Sequence, residues 1–109
     1  MVIMESKKIA IVGAGAIGGV MAIILTKNNV QVDLISKHPE TKLMAKEKGL
    51  RVSGHKGKMK SRVNVLLPSD LLKERYDIVF LATKANDLES AMEIITPFLK
   101  KESLVVSLQ

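Results

Sequence analysis

The stretch from Lys8 to Gly19 constrains this chain more than any other. Ile9 to Val12 are all apolar and run straight into a turn in which Gly13, Gly15 and Gly18 are spaced as G-x-G-x-x-G. A short apolar run ended by glycine is the pattern of a strand buried on both faces of a parallel sheet. Glycines at this spacing permit a tight turn, a close approach of backbone amides and a helix N-terminus to a pyrophosphate, and close packing of helix on strand. The motif alone is weak, and its context decides what it means.

That context is present. From Ile17 the apolar period changes to that of a helix, with Ile17, Val20, Met21, Ile24 and Leu25 on one stripe of the kind that faces a core. Asn28-Asn29 supplies a stop, and Val30 to Ile35 reads as a second strand, completing a right-handed strand, helix and strand unit. Pro39 to Gly49 reads as a second helix, starting on proline and closed by glycine.

Leu50 to Ser53 and Lys60 to Leu67 then read as a polar two-stranded hairpin turning near Gly54 to Gly57. Pro68 ends it, and Ser69 or Asp70 caps one turn carrying Leu71 and Leu72. Ile78 to Ala82 is a buried strand, Asn86 an N-cap with Glu89 three residues on, and Leu88 to Leu99 an apolar-striped helix interrupted at Pro97. Ser103 to Leu108 is a further strand. The fold class expected is α/β, a Rossmann-type doubly wound and mostly parallel sheet with a small hairpin excursion after the second helix. Residues 1–109 form one dinucleotide-binding domain, of which 1–7 are a loose leader.

Composition excludes several functions. The chain has 109 residues, 47% apolar and 26% charged, so it is globular, and short for a complete dinucleotide enzyme. It has no cysteine, which removes disulfides, thiol nucleophiles and thiolate metal sites and suits a reducing cytoplasm. His38 and His55 share no metal-ligand spacing, so no metal is expected, and both histidines are read as solvated. The net charge of +6 is concentrated between Lys37 and Arg62, but with only Tyr76, Phe80 and Phe98 as aromatics there is little for nucleic acid to stack on. Lys7-Lys8 before an uncharged run resembles a signal peptide or short membrane span. The embedded glycines and the core strand that follows argue against both, so neither membrane nor nucleic acid is an expected partner.

The expected cofactor-binding residues are Gly13, Ala14, Gly15, Ala16, Ile17 and Gly18 at the turn, with Ser36, Lys37 and Lys84 at strand ends. NAD-specific proteins place an acid at the tip of the second strand for the ribose 2′-hydroxyl. Here Ser36-Lys37 stands at that tip and Asp33 lies inside the strand, so a hydroxyl and an ammonium suit the 2′-phosphate of NADP(H). Lys84 follows the strand Ile78 to Ala82, where ligands sit in open parallel sheets; contact with the cofactor or substrate and plain surface exposure are both open from position alone. Asp87 and Glu89 are explained by the helix start. No residue of this chain is expected to catalyse.

Gly13-Ala-Gly-Ala-Ile-Gly-Gly, Lys37 at the strand tip, Gly49-Leu-Arg-Val, Ala82-Thr-Lys-Ala and the closing Val105-Val-Ser-Leu-Gln together resemble the N-terminal domain of the ketopantoate reductase (2-dehydropantoate 2-reductase) family. The resemblance covers nearly the whole chain from Lys8. It implies NADPH-dependent reduction of 2-dehydropantoate to pantoate on the way to pantothenate, in the cytoplasm. Gly13 to Gly18 would hold the pyrophosphate, and Lys84 matches a lysine near the nicotinamide. Lys37 matches the family's usual arginine for the 2′-phosphate, keeping the charge but losing the planar fork.

In the family an Asn-Gly pair follows the position of Gln109, and the catalytic lysine and substrate-binding residues lie in a helical C-terminal domain. The expectation is therefore a cofactor domain that binds NADPH and does not turn over alone. The 2-ketoacid would be met through that further domain, and a homodimer is open for the full-length protein. Two alternatives stand beside this: a non-catalytic nucleotide-sensing domain, which would favour an acid at the second strand tip, and another 2-ketoacid dehydrogenase of the same architecture.

Overall fold

In the computed structural model the described residues are 7–54, 57–73 and 76–108. The leader up to residue 6, the hairpin turn at His55-Lys56 and the terminal Gln109 lie outside them. The elements in chain order are β1 (Ile9–Val12), α1 (Ala16–Lys27), β2 (Val32–Ile35), α2 (Pro39–Lys48), β3 (Leu50–Gly54), β4 (Gly57–Ser61), β5 (Asn64–Leu66), β6 (Tyr76–Leu81), α3 (Leu88–Ile95) and β7 (Leu99–Ser107). Five of the strands form a parallel sheet in the order β5-β2-β1-β6-β7, and β3 pairs with β4 in a separate antiparallel ribbon. This is the Rossmann-type α/β fold with its hairpin excursion.

Alternation along β1 builds the two faces of the core. Ile9 and Ile11 pack with Ala22 and Ile23 of α1 on one side, and Ala10 and Val12 pack with Ala91 and Ile95 of α3 on the other. The core is almost wholly aliphatic, and each fully buried side chain such as Ile11, Ile23 or Leu34 contributes about 1.5–3 kcal/mol. Tyr76 is the exception, fully buried with its hydroxyl donating to Asp33 Oδ2 at 2.7 Å. Asn64 donates to the other oxygen of the same carboxylate at 2.7 Å. Asp33 is thereby committed to joining β2, β5 and β6, well away from the strand tip.

The structure corrects the sequence in five places. The stripe Ile17, Val20, Met21, Ile24, Leu25 is only partly the core face of α1: Met21 and Leu25 pack half-buried against the core, but Ile17 is 60% and Ile24 44% exposed, while Gly18, Gly19, Ala22 and Ile23 are buried. The small residues win the core because they let the helix approach the backbone beneath it, and a methyl at Gly18 would overlap the Gly13 carbonyl oxygen. Lys60 to Leu67 is not one strand. The chain breaks at Arg62-Val63, where the Val63 amide donates back to the Ser61 carbonyl at 3.1 Å, and Asn64–Leu66 joins β2 as the sheet edge. An edge strand leaves unpaired amides and carbonyls, which β5 satisfies on that side of β2.

At Pro68–Asp70 it is neither Ser69 nor Asp70 that stands at the cap position. Leu67 does, and the Asp70 carboxylate reaches back to accept from its amide at 2.8 Å and from Lys42 Nζ at 2.7 Å. Asn86 does not cap α3, because Ala85–Asp87 forms a separate 3-10 turn and the helix begins at Leu88. The last strand starts at Leu99 rather than Ser103, with an irregularity in its pairing to β6. There the Ser103 hydroxyl takes over the ladder, accepting from the Lys100 amide and donating to the Tyr76 carbonyl, both at 2.6 Å.

No helix among the described residues is long and apolar enough to cross a membrane.

Asp77 ties the two ends of this layer together. Its carboxylate accepts from Lys100 Nζ and from the Lys8 amide, each at 2.7 Å. The Lys100 ammonium first, and the Lys8 amide second, hold its pKa below the ordinary carboxylate value. A depressed folded-state pKa means the stabilisation is complete above the unfolded value of about 3.9 and is lost as pH falls through the folded one. Urea unfolding followed from about pH 7 to about pH 2 should find Asp77→Asn less stable than wild type at the upper end, the two curves converging at the lower. Parallel curves across the series would show that the charge on Asp77 is irrelevant.

Candidate cofactor-binding site

The site lies at the C-terminal ends of β1, β2 and β6, where open parallel sheets receive ligands. Gly13 ends β1 with φ +109°, a conformation L side chains rarely adopt, and its amide donates to the Ile35 carbonyl at 2.9 Å. A methyl there would meet the Ala82 carbonyl group and Thr83 Cγ2 at 3.0 Å, so the turn sits against the end of β6. Gly18 brings α1 down onto that turn. Gly15 is the N-cap of α1, with no side chain capping the helix, no acid in its first turn, and open space where a Cβ would stand. The first amides of a helix have no intrahelical acceptor, and the positive end of the helix dipole adds to them. The uncapped start of α1 therefore fits a pyrophosphate: amides without an intrahelical acceptor, a favourable field and room at Gly15 for an anion to approach.

The cleft in front of this turn has a volume of about 330 Å³ and brings together Gly13, Ala14, Gly15, Ser36, Lys37 and Lys84. Ala16, Ile17 and Gly18 do not line it. Ala16 and Ile17 border an apolar hollow on the outer side of α1, and Gly18 is buried between helix and strand.

At the tip of β2, Ser36 is only 2% exposed, and its hydroxyl oxygen accepts from the His38 amide at 3.1 Å. Ser36 thus shapes the strand-tip turn, while Lys37 stands exposed beside it. The ammonium groups of Lys37 and Lys84 have no hydrogen-bond or ion-pair partner among the described residues. His38 also lines the cleft, two-thirds exposed, with Nδ1 3.7 Å from Glu40. The opening thus carries two free lysines beside a helix N-terminus. Its one carboxylate among the described residues, Asp87, sits at the N-cap position of α3 without capping it.

Residues 9–109 match the ketopantoate reductase family, described as Ketopantoate reductase PanE/ApbA. The chain belongs to that family. A 2-dehydropantoate 2-reductase of Lactococcus lactis is 33% identical over 102 residues, which are 93% of this chain and 33% of the relative. Among solved structures, a PanE/ApbA family ketopantoate reductase from Ralstonia eutropha superposes with TM-score 0.80 at 32% identity, covering 94% of this chain and 34% of that one. D-mandelate dehydrogenase, solved with NADH and anilino(oxo)acetate, superposes with TM-score 0.81 at 32% identity over 93% of this chain and 32% of that one. The chain spans about a third of the length of these relatives.

Sequence reasoning does not place His38, Asp87 and Thr83 at the cleft, which all three line. The sequence reads His38 as solvated and Asp87 as part of a helix start, and both border the cleft. Thr83 enters the sequence reading only as part of Ala82-Thr-Lys-Ala, with no role of its own.

Proposed function

We propose that this chain is the NADPH-binding part of an oxidoreductase that reduces a 2-ketoacid, 2-dehydropantoate to pantoate. One observation carries the cofactor choice. The tip of β2 presents the free ammonium of Lys37 to the cleft, and the only acid of that strand, Asp33, is held by Tyr76 and Asn64. A cation suits a 2′-phosphate where a carboxylate would suit a 2′-hydroxyl. Family membership and the Lactococcus lactis relative support the reaction.

In this reading the amides at the start of α1 hold and orient the pyrophosphate, Lys37 pairs with the 2′-phosphate, and Lys84 faces the nicotinamide side. The bound cofactor supplies a hydride to the ketone carbon. The proton for the developing alkoxide comes from a lysine of a further domain, as the family resemblance implies, so this part alone binds without turnover. The reaction belongs in the cytoplasm.

A second reading, favoured by the likeness to D-mandelate dehydrogenase with NADH, is a related 2-ketoacid dehydrogenase that uses NADH. Titration by cofactor fluorescence separates the two. NADPH should bind more tightly than NADH, and Lys37→Ala should weaken NADPH about tenfold, the worth of one charge-assisted contact, while leaving NADH unchanged. Tighter NADH binding, or NADPH binding indifferent to Lys37→Ala, would remove the 2′-phosphate assignment.

A further inference from the structure

A second concentration of positive charge stands away from the cleft. From Leu50 to Arg62 the sequence holds five Lys or Arg and no Asp, Glu, Phe, Tyr or Trp. Strand alternation sorts these residues in the ribbon β3-β4. Leu50, Val52 and Met59 pack on the core, with Val52 Cγ2 3.0 Å from where a Cβ on Gly19 of α1 would stand. Arg51, Ser53, Lys58 and Lys60 are exposed, Arg51 directly opposite Lys60 and Ser53 opposite Lys58. Like charges facing each other across two strands are destabilising. Arg51, Lys58 and Lys60 nevertheless have no carboxylate or other hydrogen-bond partner among the described residues.

Part of this charge has a local explanation. α2 ends against the ribbon, where the Lys60 stem crosses Gly49 and Arg62 donates to the Lys46 carbonyl at 3.3 Å. Lys46, Lys48, Lys60 and Arg62 thus gather at the negative end of a helix dipole. That field falls off within the last turn of the helix. It gives no reason for Lys58, farther along the ribbon, or for an arginine set opposite Lys60. The face is also remote from the cofactor cleft. His38, at the start of α2, lines the cleft, and a helix of 10 residues, about 15 Å long, separates it from Gly49.

The chemistry of this face selects its partner. The core of a protein interface is rich in aromatic side chains and poor in lysine, helices that lie in a lipid surface insert apolar side chains, and single-stranded nucleic acid stacks its bases on aromatics. The outer face of the ribbon carries three cations and a hydroxyl, on strands about 5 Å apart with outward residues repeating about every 7 Å along each. Those are groups that contact phosphate oxygens, and a two-stranded ribbon is narrow enough to lie in a groove of B-DNA with phosphates on either side. We propose that the outer face of β3-β4 docks on the phosphate backbone of a DNA duplex without reading its sequence. The expectation of no nucleic-acid partner rests on missing aromatics, and backbone contacts need none. The phosphates supply the anions that Arg51, Lys58 and Lys60 lack and relieve the repulsion across the ribbon.

Fluorescence anisotropy of a labelled duplex of about 20 base pairs, titrated with the 109-residue chain between about 50 and 250 mM KCl, tests this. The logarithm of the affinity should fall linearly with that of the salt concentration, with a slope of about −2.7 for three phosphate contacts, and duplexes of unrelated sequence should bind alike. Arg51→Ser/Lys58→Ser should weaken binding at about 100 mM salt at least tenfold and make the slope shallower by about 1.8. The same variant should melt no lower than wild type, since it removes like charges facing each other, and should keep its NADPH affinity, since neither residue lines the cleft. Lys101→Ser, on β7, should leave the slope as it is. The proposal is overturned by no binding at about 100 mM salt, by a slope that the ribbon variant leaves unchanged or that Lys101→Ser alters as much, by a single strand held more tightly than the duplex, or by displacement of the duplex by NADPH. Binding to phosphatidylglycerol vesicles in place of the duplex overturns it too and gives the face to a membrane surface.

Discussion

Gly18→Ala is expected to lower the free energy of unfolding by about 2 kcal/mol. The new methyl would overlap the Gly13 carbonyl oxygen and touch Ala82 at 3.1 Å. A backbone oxygen fixed at the end of a buried strand cannot rotate aside as a flexible side chain would, so α1 has to lift. Such overpacking costs roughly 3 kcal/mol at the upper part of its range, and alanine returns about 1 kcal/mol as the better helix former. Other folds of this class accept alanine at the third glycine position, so the prediction concerns the short distance between α1 and the turn in this molecule. Urea unfolding measures it, and a loss below about 0.5 kcal/mol would mean that the helix rides on the sheet more loosely than described. Because lifting α1 also withdraws its first amides from the cleft, NADPH affinity should fall with stability.

The same contact explains where the sequence was readable and where it was not. The succession β1, turn, α1, β2 was legible because each signal is local: an apolar run, glycines at fixed spacing, a change of period, an asparagine stop. Asn29 indeed takes up positive φ, at 62°, where that stop was expected. The buried face of α1 was only partly legible: Met21 and Leu25 do pack on the core, but hydropathy weighs size and the centre of this face is made of what is small. Gly18, Gly19 and Ala22 are buried for the closeness they allow, and the larger Ile17 and Ile24 are left outside.

Nonlocal pairing hid the rest of the fold. Nothing within Lys60 to Leu67 indicates that its second half leaves the hairpin, since that is decided by the open edge of β2. Gly13 to Gly15 are read from the glycine spacing, and Lys37 and Lys84 from the rule that ligands meet strand ends; all of them line one cleft. Ser36 was found by the same rule, yet its hydroxyl oxygen is turned onto the His38 amide. Thr83 stands in the sequence only as part of Ala82-Thr-Lys-Ala, and three dimensions are needed to reveal that its buried hydroxyl lacks a partner.

Gly15→Asp is expected to move stability and binding in opposite directions. Gly15 has φ −74° and ψ −171°, extended backbone that any residue adopts, and a Cβ there meets nothing within 4 Å. The substitution therefore introduces no strain. As the N-cap of α1 the new carboxylate would accept from the free amides of the first turn and sit at the positive end of the helix dipole, so the free protein should gain about 0.5–1 kcal/mol. The amides it takes are those assigned to the pyrophosphate, and its charge repels the same anion. Loss of two hydrogen bonds to a charged group, at about 1.5–3 kcal/mol each, amounts to at least about a hundredfold in NADPH affinity. Thermal melts and a fluorescence titration on one preparation decide the matter. A melting temperature above wild type with binding abolished would identify the uncapped helix end as a place where stability is given up to hold an anion. Binding within about tenfold of wild type would mean that the anion is held elsewhere, and the assignment of residues 13–18 to the pyrophosphate would fail with it.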